Sequence, residues 1–170
     1  MISLKDKVII VTGGTGLLGK TYCKELANQG AVVIMADLEQ ASPRKIASET
    51  NKDKSLNIIG MDFDVTNEKE VISLFKKVNK QFGKIDVVIN NAAATGEHLM
   101  REGEVFTTFE DSTLSIWEKT IKVNLTGVYL VAREAGKIMS RRGIGSIINI
   151  SSTYGVVGPD HRIYKDMPFN

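Results

Sequence analysis

The segment VTGGTGLLG, at residues 11–19, contains glycines at a spacing that suits phosphate binding. Gly14, Gly16 and Gly19 fit the pattern G-x-G-x-x-G, in which the first glycine permits a tight turn and the second lets the backbone approach a pyrophosphate. The third lets a helix pack closely on a strand. Backbone N–H groups and the positive end of the helix dipole then face the phosphates. The segment predicts a dinucleotide site, with an ordinary glycine-rich turn as the alternative.

An acidic residue follows where such a site contacts the ribose. Asp37 stands eighteen residues after Gly19, at the end of the next strand-like run. A carboxylate there accepts hydrogen bonds from the adenosine ribose and repels a 2′-phosphate. We therefore expect NAD as the cofactor, in preference to NADP.

Two further acids, Asp62 and Asp64, alternate at the end of a third strand-like run, in MDFDVTN. In one interpretation they cap the turn that follows. In the other, one of them lies beside the adenine amino group, and Asp64 is the favoured candidate.

Alternating strand-like and helical runs would position these residues. Short apolar, β-branched segments alternate with amphipathic segments of helical length. This alternation predicts an α/β fold of the Rossmann type, with a doubly wound parallel sheet in a three-layer α/β/α arrangement. The predicted strands cover residues 7–13, 31–37, 56–62, 85–90 and 146–151, and the predicted helices cover 17–29, 43–51, 67–82 and 111–142.

The last predicted helix has apolar residues at intervals of three or four positions. A stripe at this spacing indicates a helix face that packs against a core. The residues predicted to face the core are Trp117, Ile121, Leu125, Val128 and Ala132.

The composition indicates a single soluble domain, at residues 1–170. Hydrophobic residues make up 42% of the chain and charged residues 25%, which is typical of globular proteins. The net charge is +2 and basic runs are short, so we expect no nucleic-acid or membrane partner. Cys23 is the only cysteine, which suits a reducing compartment and a small buried side chain. The N-terminal apolar run is too short for a signal peptide, so we expect a cytoplasmic protein.

Several short motifs together resemble the short-chain dehydrogenase/reductase family. TGGTGLLG, DVT, NNAA, VNLTG and NISS occur in the family's order and approximate spacing, between residues 12 and 152. The resemblance implies an oxidoreductase that uses NAD(P) to move hydride between nicotinamide and a small alcohol or carbonyl substrate. It also implies about five strands in the order 3-2-1-4-5, without the last two strands of the family's seven-stranded sheet.

The resemblance also implies roles for individual residues. Asn124 matches an asparagine that holds a water in a proton relay; the alternative is a polar helix residue bonded to a neighbouring carbonyl. Ser152 matches the catalytic serine that hydrogen-bonds the substrate's oxygen. Ser151 is the alternative, because successive strand residues point to opposite faces. No metal is expected. The implied cofactor contacts are Gly13, Gly14, Thr15, Gly16, Leu17, Leu18, Gly19, Asp37, Asp64, Val65, Asn91, Ala92 and Ala93.

Two features depart from the family's usual pattern. The glycine spacing is similar to that of the extended members, many of which act on nucleotide sugars, whereas NNAA and NISS are typical of the smaller members. The connection over residues 94–111 is longer than usual, and either forms a solvated loop or offers His98 and Arg101 to an anionic substrate group. The segment YGVVGPDHRIY is similar to members that modify surface sugars, which makes a sugar or sugar acid one candidate substrate.

The family's proton-transfer pair is a tyrosine followed four residues later by a lysine on the same helix face. The ammonium lowers the phenol's pKa from about 10 towards working pH. Tyr164 is followed at that offset by Pro168, and the tyrosines at 22, 129 and 154 are followed by Leu26, Arg133 and Gly158. We therefore expect Tyr164 in a loop near the pocket, the pair beyond Asn170, and these 170 residues to be inactive alone.

Three functions remain open on these observations. In the first, the chain is the cofactor half of an NAD-dependent oxidoreductase. In the second, it is a dinucleotide binder without turnover, and in the third it is a non-functional remnant. The long helix would also keep an exposed apolar face, so we expect a homo-oligomer.

Overall fold

Five parallel strands form a single sheet in the computed structural model, which describes residues 3–52, 56–105, 107, 109–158, 160 and 162. The order β3-β2-β1-β4-β5 confirms the predicted α/β fold and its topology. β1 is central and pairs with β2 on one side and β4 on the other. The strands are β1 Val8–Thr12, β2 Val32–Asp37, β3 Ile58–Asp62, β4 Val87–Asn90 and β5 Ser146–Asn149.

Helices connect the strands and cover both faces of the sheet. Asn67 caps α3 by accepting hydrogen bonds from the N–H groups of Lys69 and Glu70, and Gly83 ends that helix with a φ of 71°. These are typical start and stop signals. The helices are α1 Leu17–Asn28, α2 Pro43–Lys52, α3 Glu68–Phe82, α4 Gly96–Arg101, α5 Leu114–Ile121 and α6 Val128–Arg142, with a π-helical segment, Lys122–Gly127, joining α5 to α6.

The core lies on both sides of the sheet. Ile10 and Ile34 face α3 and α6, whereas Ile9 and Val33 belong to the cluster around α1 and α2. All five residues of β1 are buried. A parallel strand covered on both faces reads as a continuous apolar run, which explains why these strands were predictable.

The long helix faces the core with a different side from the predicted one. Trp117 and Leu125 are 63% and 62% exposed, so that part of the prediction was wrong. The helix carries two adjacent apolar stripes, and periodicity alone does not decide between them. The buried face of this helical region comprises Ile116, Gly127, Leu130, Val131, Ala135 and Met139.

β5 is exposed along its whole length. Ile147 and Ile148, on opposite faces of the strand, are 37% and 44% exposed. The outer stripe of the long helix is a second element with exposed apolar side chains, among them Trp117 and Leu125. Tyr164, predicted to lie in a loop near the pocket, is outside the residues that the structure describes.

No helix within the described ranges is both long and apolar enough to cross a membrane.

Candidate functional site

The carboxyl ends of the strands bring the predicted site residues to one edge of the sheet. Thr12, Asp37 and Asn90 end β1, β2 and β4, and β5 leads directly to Ser151 and Ser152. In an open α/β sheet, ligands bind in the crevice outside these ends. The strand order reverses at β1, which has β2 on one side and β4 on the other, and the glycine turn begins at the end of β1.

The glycine turn is packed tightly against backbone on its inner side. Gly13 has a φ of 62°, and a Cβ there would lie 2.8 Å from the Cα of Ala92. The left-handed conformation thus falls on Gly13, the residue before the first glycine of the G-x-G-x-x-G pattern. At Gly14 a Cβ would lie 2.8 Å from the Met35 side chain on β2, and at Gly19 it would lie 2.1 Å from the Gly13 carbonyl oxygen.

The outer side of the turn is open. A Cβ at Gly16 would have the Gly13 carbonyl oxygen, 3.4 Å away, as its nearest protein contact. Gly16 therefore lies where a group approaching from outside would need the space. An open face of this kind at the start of a helix fits a pyrophosphate.

Helix α1 begins without a side-chain cap and without an acidic residue in its first turn. No described residue accepts a hydrogen bond from the N–H groups of Leu17, Leu18 or Gly19. Leu17 is 89% exposed. These N–H groups, with the helix dipole, offer a site for negative charge.

Asp37 lies beside the glycine turn and is bonded to it. Its Oδ2 accepts hydrogen bonds from the Thr15 backbone N–H at 2.9 Å and from the Thr15 hydroxyl at 2.6 Å. Its Oδ1 accepts from the Leu38 N–H at 2.8 Å. The sequence placed Asp37 and Thr15 in the same site, but it gave no sign that they bond to each other.

Below the turn lies the buried thiol of Cys23, whose Sγ is 4.0 Å from the Gly14 carbonyl oxygen. Burial and the nearby charge of Asp37 raise its pKa to about 12. The expected role as a small buried side chain agrees with its exposure of 0%.

Asn91 and Thr12 fix the segment after β4 against the glycine turn. The Asn91 amide nitrogen donates to the carbonyl oxygens of Thr12 at 3.0 Å and Gly13 at 3.1 Å. The Thr12 hydroxyl oxygen accepts from the backbone N–H groups of Asn91 and Ala92, both at 3.1 Å. Thr12, which is 1% exposed, was missed as a site residue. The sequence did carry a signal for this role, because Thr12 is a polar residue at the end of an otherwise apolar strand.

Asp64 caps the turn between β3 and α3. Its Oδ1 accepts from the Thr66 N–H at 2.8 Å, and its own N–H donates to Glu70. Asp62 forms a salt bridge to Arg44 at 2.6 Å. Asp64 thus caps the turn, as in the first interpretation of MDFDVTN, whereas Asp62 pairs with a residue of α2 instead. Val65 is 8% exposed and packs against Gly127 of the π-helical segment.

Asn124 lies in the π-helical segment and binds the backbone beyond β4. Its Oδ1 accepts from the Ala94 N–H at 2.7 Å, and its Nδ2 donates to the Ala94 carbonyl oxygen at 3.1 Å. The partner is thus a distant strand end and not a neighbouring helix carbonyl. Single π-helical turns inside α-helices occur frequently at functional sites.

Ser152 follows β5 and is exposed. Its Oγ accepts from the Tyr154 N–H at 3.2 Å, which starts the short 3₁₀ turn Thr153–Gly155. Asn149, which is directly opposite Asn90 in the sheet, accepts a hydrogen bond from the Asn90 amide at 2.8 Å. This bond joins the ends of β4 and β5.

The connection after β4 is more ordered than a solvated loop. It contains α4, whose Leu99 is 2% exposed and packs against Ile116 of α5. The charged side chains proposed for an anionic substrate are occupied by acids of the same segment, since Arg101 pairs with Glu97 and His98 with Glu102.

Comparison with known proteins agrees with this geometry. The family model for short chain dehydrogenase matches residues 7–164. Sorbitol-6-phosphate 2-dehydrogenase from Escherichia coli is 31% identical over 158 residues, which is 92% of this chain and 58% of that protein. The 3-oxoacyl-[acyl-carrier-protein] reductase FabG from Aquifex aeolicus is 30% identical over 157 residues, which is 92% of this chain and 60% of the relative.

A solved structure has the same architecture. The crystal structure of NAD⁺-bound xylitol dehydrogenase matches with a TM-score of 0.82 and 28% identity, over 93% of this chain and 57% of that one. The chain thus spans less than two thirds of the length of these relatives. The family-model match, the order of the strands in the sheet and the order of the motifs along the sequence all lead to the same assignment. The chain belongs to the short chain dehydrogenase family.

Proposed function

We propose that the chain binds NAD at the carboxyl edge of its sheet. The pyrophosphate would lie on the first turn of α1 and the adenosine ribose beside Asp37. The observation that carries this proposal is the open face at Gly16 together with the unbonded N–H groups of Leu17, Leu18 and Gly19. Support comes from the xylitol dehydrogenase structure, whose title names bound NAD⁺, and from a 27% identical NAD-dependent glycerol dehydrogenase of Listeria innocua.

The proposed reaction is hydride transfer between an alcohol and its carbonyl form, for which the bound nicotinamide supplies the hydride acceptor or donor. Ser152, exposed at the end of β5, would donate a hydrogen bond to the substrate oxygen. This bond stabilises negative charge that develops on the oxygen.

Asn124 is proposed to act through the backbone. Ala94 binds both polar atoms of the Asn124 side-chain amide, which fixes the orientation of that side chain and leaves one N–H and one acceptor position of it. The π-helical pattern breaks the regular i→i+4 bonding, which leaves room for a carbonyl to bind water instead. Asn124 would then fix the π-helical segment against the end of β4 at the distance that the proton relay needs.

A dinucleotide binder without turnover is the second candidate. Within these 170 residues, none of the four tyrosines is followed four positions later by lysine, so we expect this stretch by itself to bind without turnover. NADH fluorescence and a hydride-transfer assay on the full native gene product, whose intact mass is measured first, separate the two functions. Binding with turnover supports the oxidoreductase, and binding without turnover supports the second candidate.

A polyhydroxylated alcohol or its ketone is the substrate class that we propose for the oxidoreductase. Three similar proteins carry the names of such enzymes, acting on sorbitol 6-phosphate, glycerol and xylitol. An assay panel of polyols against simple aliphatic alcohols tests it, and faster turnover of the aliphatic alcohols would contradict it.

The Asp37→Ala variant tests the cofactor assignment directly. Removing the carboxylate deletes a charge-assisted hydrogen bond to the ribose, which is worth about 1.5–3 kcal/mol. We expect the Kd for NAD⁺ to rise roughly tenfold or more and the preference over NADP⁺ to disappear, as measured by titration calorimetry. Asp62→Ala is the matched control, because that carboxylate pairs with Arg44 instead. Unchanged affinities for both dinucleotides in Asp37→Ala would contradict the placement.

A further inference from the structure

The connection between β4 and α5 is fixed to the α5 region at two places. At its start, Ala94 makes two hydrogen bonds with the side-chain amide of Asn124, in the π-helical segment that follows α5. After α4, the Oε1 of Glu104 accepts hydrogen bonds from two side chains of α5, the Ser115 hydroxyl at 2.9 Å and the Lys119 ammonium at 2.6 Å. The segment from Ala94 to Glu104 is therefore held against α5 at both of its ends.

Between these two places, α4 packs on α5. Leu99 is 2% exposed and lies in one buried cluster with Ala94 and Ile116. The Glu104 N–H donates to the Leu99 carbonyl oxygen at 3.0 Å, which ties Glu104 to the end of α4. Because close-packed side chains transmit displacements, a shift of Glu104 away from α5 moves Leu99 and, through it, Ala94.

The Glu104 side chain is turned towards α5. It is 15% exposed, whereas the side chains of Glu97 and Arg101 on α4 are 76% and 74% exposed. Hydrogen bonds from Lys119 and Ser115 hold the pKa of the Glu104 carboxyl below its ordinary value, and the bond to Glu104 raises the pKa of Lys119. Both groups therefore stay charged at neutral pH, and the bond between them is charge-assisted.

We infer that Glu104 is a positioning residue for Asn124: its bonds to α5 set the place of Ala94 against the Asn124 amide. This inference rests on the proposed function, in which Asn124 fixes the π-helical segment for the proton relay. Without Glu104, the Asn124–Ala94 pair opens more often and the π-helical segment loses its fixed distance from the end of β4. A misplacement of about 1 Å that originates far from the reacting atoms can cost about a hundredfold in rate.

Two other roles for Glu104 make different predictions. If Glu104 only stabilises the fold, its removal lowers the melting temperature but leaves the Asn124–Ala94 pair closed in the folded protein. If Glu104 contacts the substrate, its removal raises KM and acts independently of Asn124. Positioning through Asn124 makes the effects of the two residues on kcat non-additive, and a double-mutant cycle measures this.

The first measurement is independent of turnover. Hydrogen exchange of the Ala94 N–H, followed by NMR on the full native gene product, reports how often its bond to the Asn124 Oδ1 opens. We expect Glu104→Ala to speed this exchange roughly tenfold, as Asn124→Ala also does. Glu104→Gln keeps an acceptor oxygen for Ser115 and Lys119, so it should restore most of the protection.

The second measurement is steady-state kinetics on the same variants, with NAD⁺ and the polyol that is turned over fastest. We expect Glu104→Ala to lower kcat roughly tenfold, with little change in KM and in the Kd for NAD⁺. In the Asn124→Ala background, Glu104→Ala should lower kcat little further. Ser115→Ala removes one of the two bonds to Glu104 and gives a milder second comparison if Glu104→Ala melts below the assay temperature.

Glu134→Ala is the matched control. The Glu134 Oε1 also accepts from two cationic side chains, Arg133 at 3.0 Å and Lys137 at 2.7 Å, and all three residues lie on α6. Its removal deletes a comparable pair of bonds without touching the connection after β4. We expect Glu134→Ala to lower the melting temperature and to leave both the Ala94 exchange rate and kcat unchanged.

Unchanged Ala94 exchange in Glu104→Ala would overturn the inference and leave the proposed cofactor site and hydride transfer standing. A loss of kcat that adds fully to that of Asn124→Ala would overturn it as well. If the full gene product shows no turnover, or if Asn124→Ala leaves kcat unchanged, the proposed function or the proposed role of Asn124 fails, and this inference fails with it.

Discussion

At the scale of single residues, the glycine turn is specified by contacts with backbone. A Cβ at Gly19 would lie 2.1 Å from the Gly13 carbonyl oxygen, and one at Gly13 would lie 2.8 Å from the Ala92 Cα. Backbone atoms yield less readily than the end of a flexible side chain, so substitution at either position displaces the turn. The N–H groups that would hold the phosphates move with it.

Cys23 offers a direct probe of this turn. Only the thiolate reacts with alkylating and disulfide reagents, and burial raises the pKa of the Cys23 thiol to about 12. Relative to an unfolded cysteine with a pKa near 8.5, the reactive fraction at mildly alkaline pH falls about a thousandfold. We expect native protein to label slower than urea-unfolded protein by at least that factor, followed by mass spectrometry. Equal rates would show that the turn does not cover the thiol.

At the scale of elements, an ion pair with a buried carboxylate joins three elements at the opposite ends of the strands. Asp86, just before β4, accepts a hydrogen bond from the Val8 N–H of β1 at 2.9 Å and from Arg142, at the end of α6, at 3.2 Å. Arg142 also donates to the Ile85 carbonyl oxygen at 3.0 Å. This cluster holds β1, β4 and α6 in register beneath the site.

The charge of Asp86 makes stability depend on pH. Burial alone would raise its pKa, but the hydrogen bonds from Val8 and Arg142 and the nearby Lys84 together hold the pKa below its ordinary value. A carboxylate with a lowered folded-state pKa stabilises the fold above the unfolded value, near pH 4, and this contribution is lost as pH falls through the folded pKa.

Asp86→Asn should therefore lower the free energy of unfolding at neutral pH by about 1–3 kcal/mol. It should also flatten the loss of stability below about pH 4. Urea denaturation at several pH values measures both effects, with Asp6→Asn at an exposed position as the control. An acid-unfolding profile identical to that of the unchanged chain would contradict the assignment.

Sequence patterns predicted the strands well and the long helix only in part. The strands are short apolar, β-branched runs with clear ends, so all five appeared close to their observed bounds. The long helix has apolar residues on two adjacent faces, and the choice between Trp117 and Ile116 as the core residue depends on tertiary packing. Sequence patterns also do not show which distant segments of the site bond to each other, as Thr15 does to Asp37 and Asn124 does to Ala94.

At the scale of the whole molecule, the long helix exposes apolar side chains along its outer side. Leu114, Trp117, Leu125 and Tyr129 on the long helix are each more than half exposed. β5 adds exposed isoleucines on both of its faces. Exposed apolar side chains that form a patch mark an interaction site or an aggregation hazard.

We therefore expect the chain to self-associate through this side. Replacing Trp117 and Leu125 by lysine should lower the average mass seen by sedimentation equilibrium and raise the solubility. Val105→Lys, at a position 71% exposed in the connection before α5, is the control for added charge. The expectation is wrong if the unchanged chain sediments as a monomer over a wide concentration range.

The central position of β1 also determines when each of its two edges can pair during synthesis. β1 can pair with β2 soon after both have left the ribosome. Its other edge pairs with β4, which is synthesised later. Asn91, whose side-chain amide holds the glycine turn, is about 50 residues downstream of β2. At typical elongation rates that wait is roughly 3–10 s. During this interval the nascent chain already carries the glycine loop without its support, so a dinucleotide in the cell would help the polypeptide fold only after Asn91 has emerged.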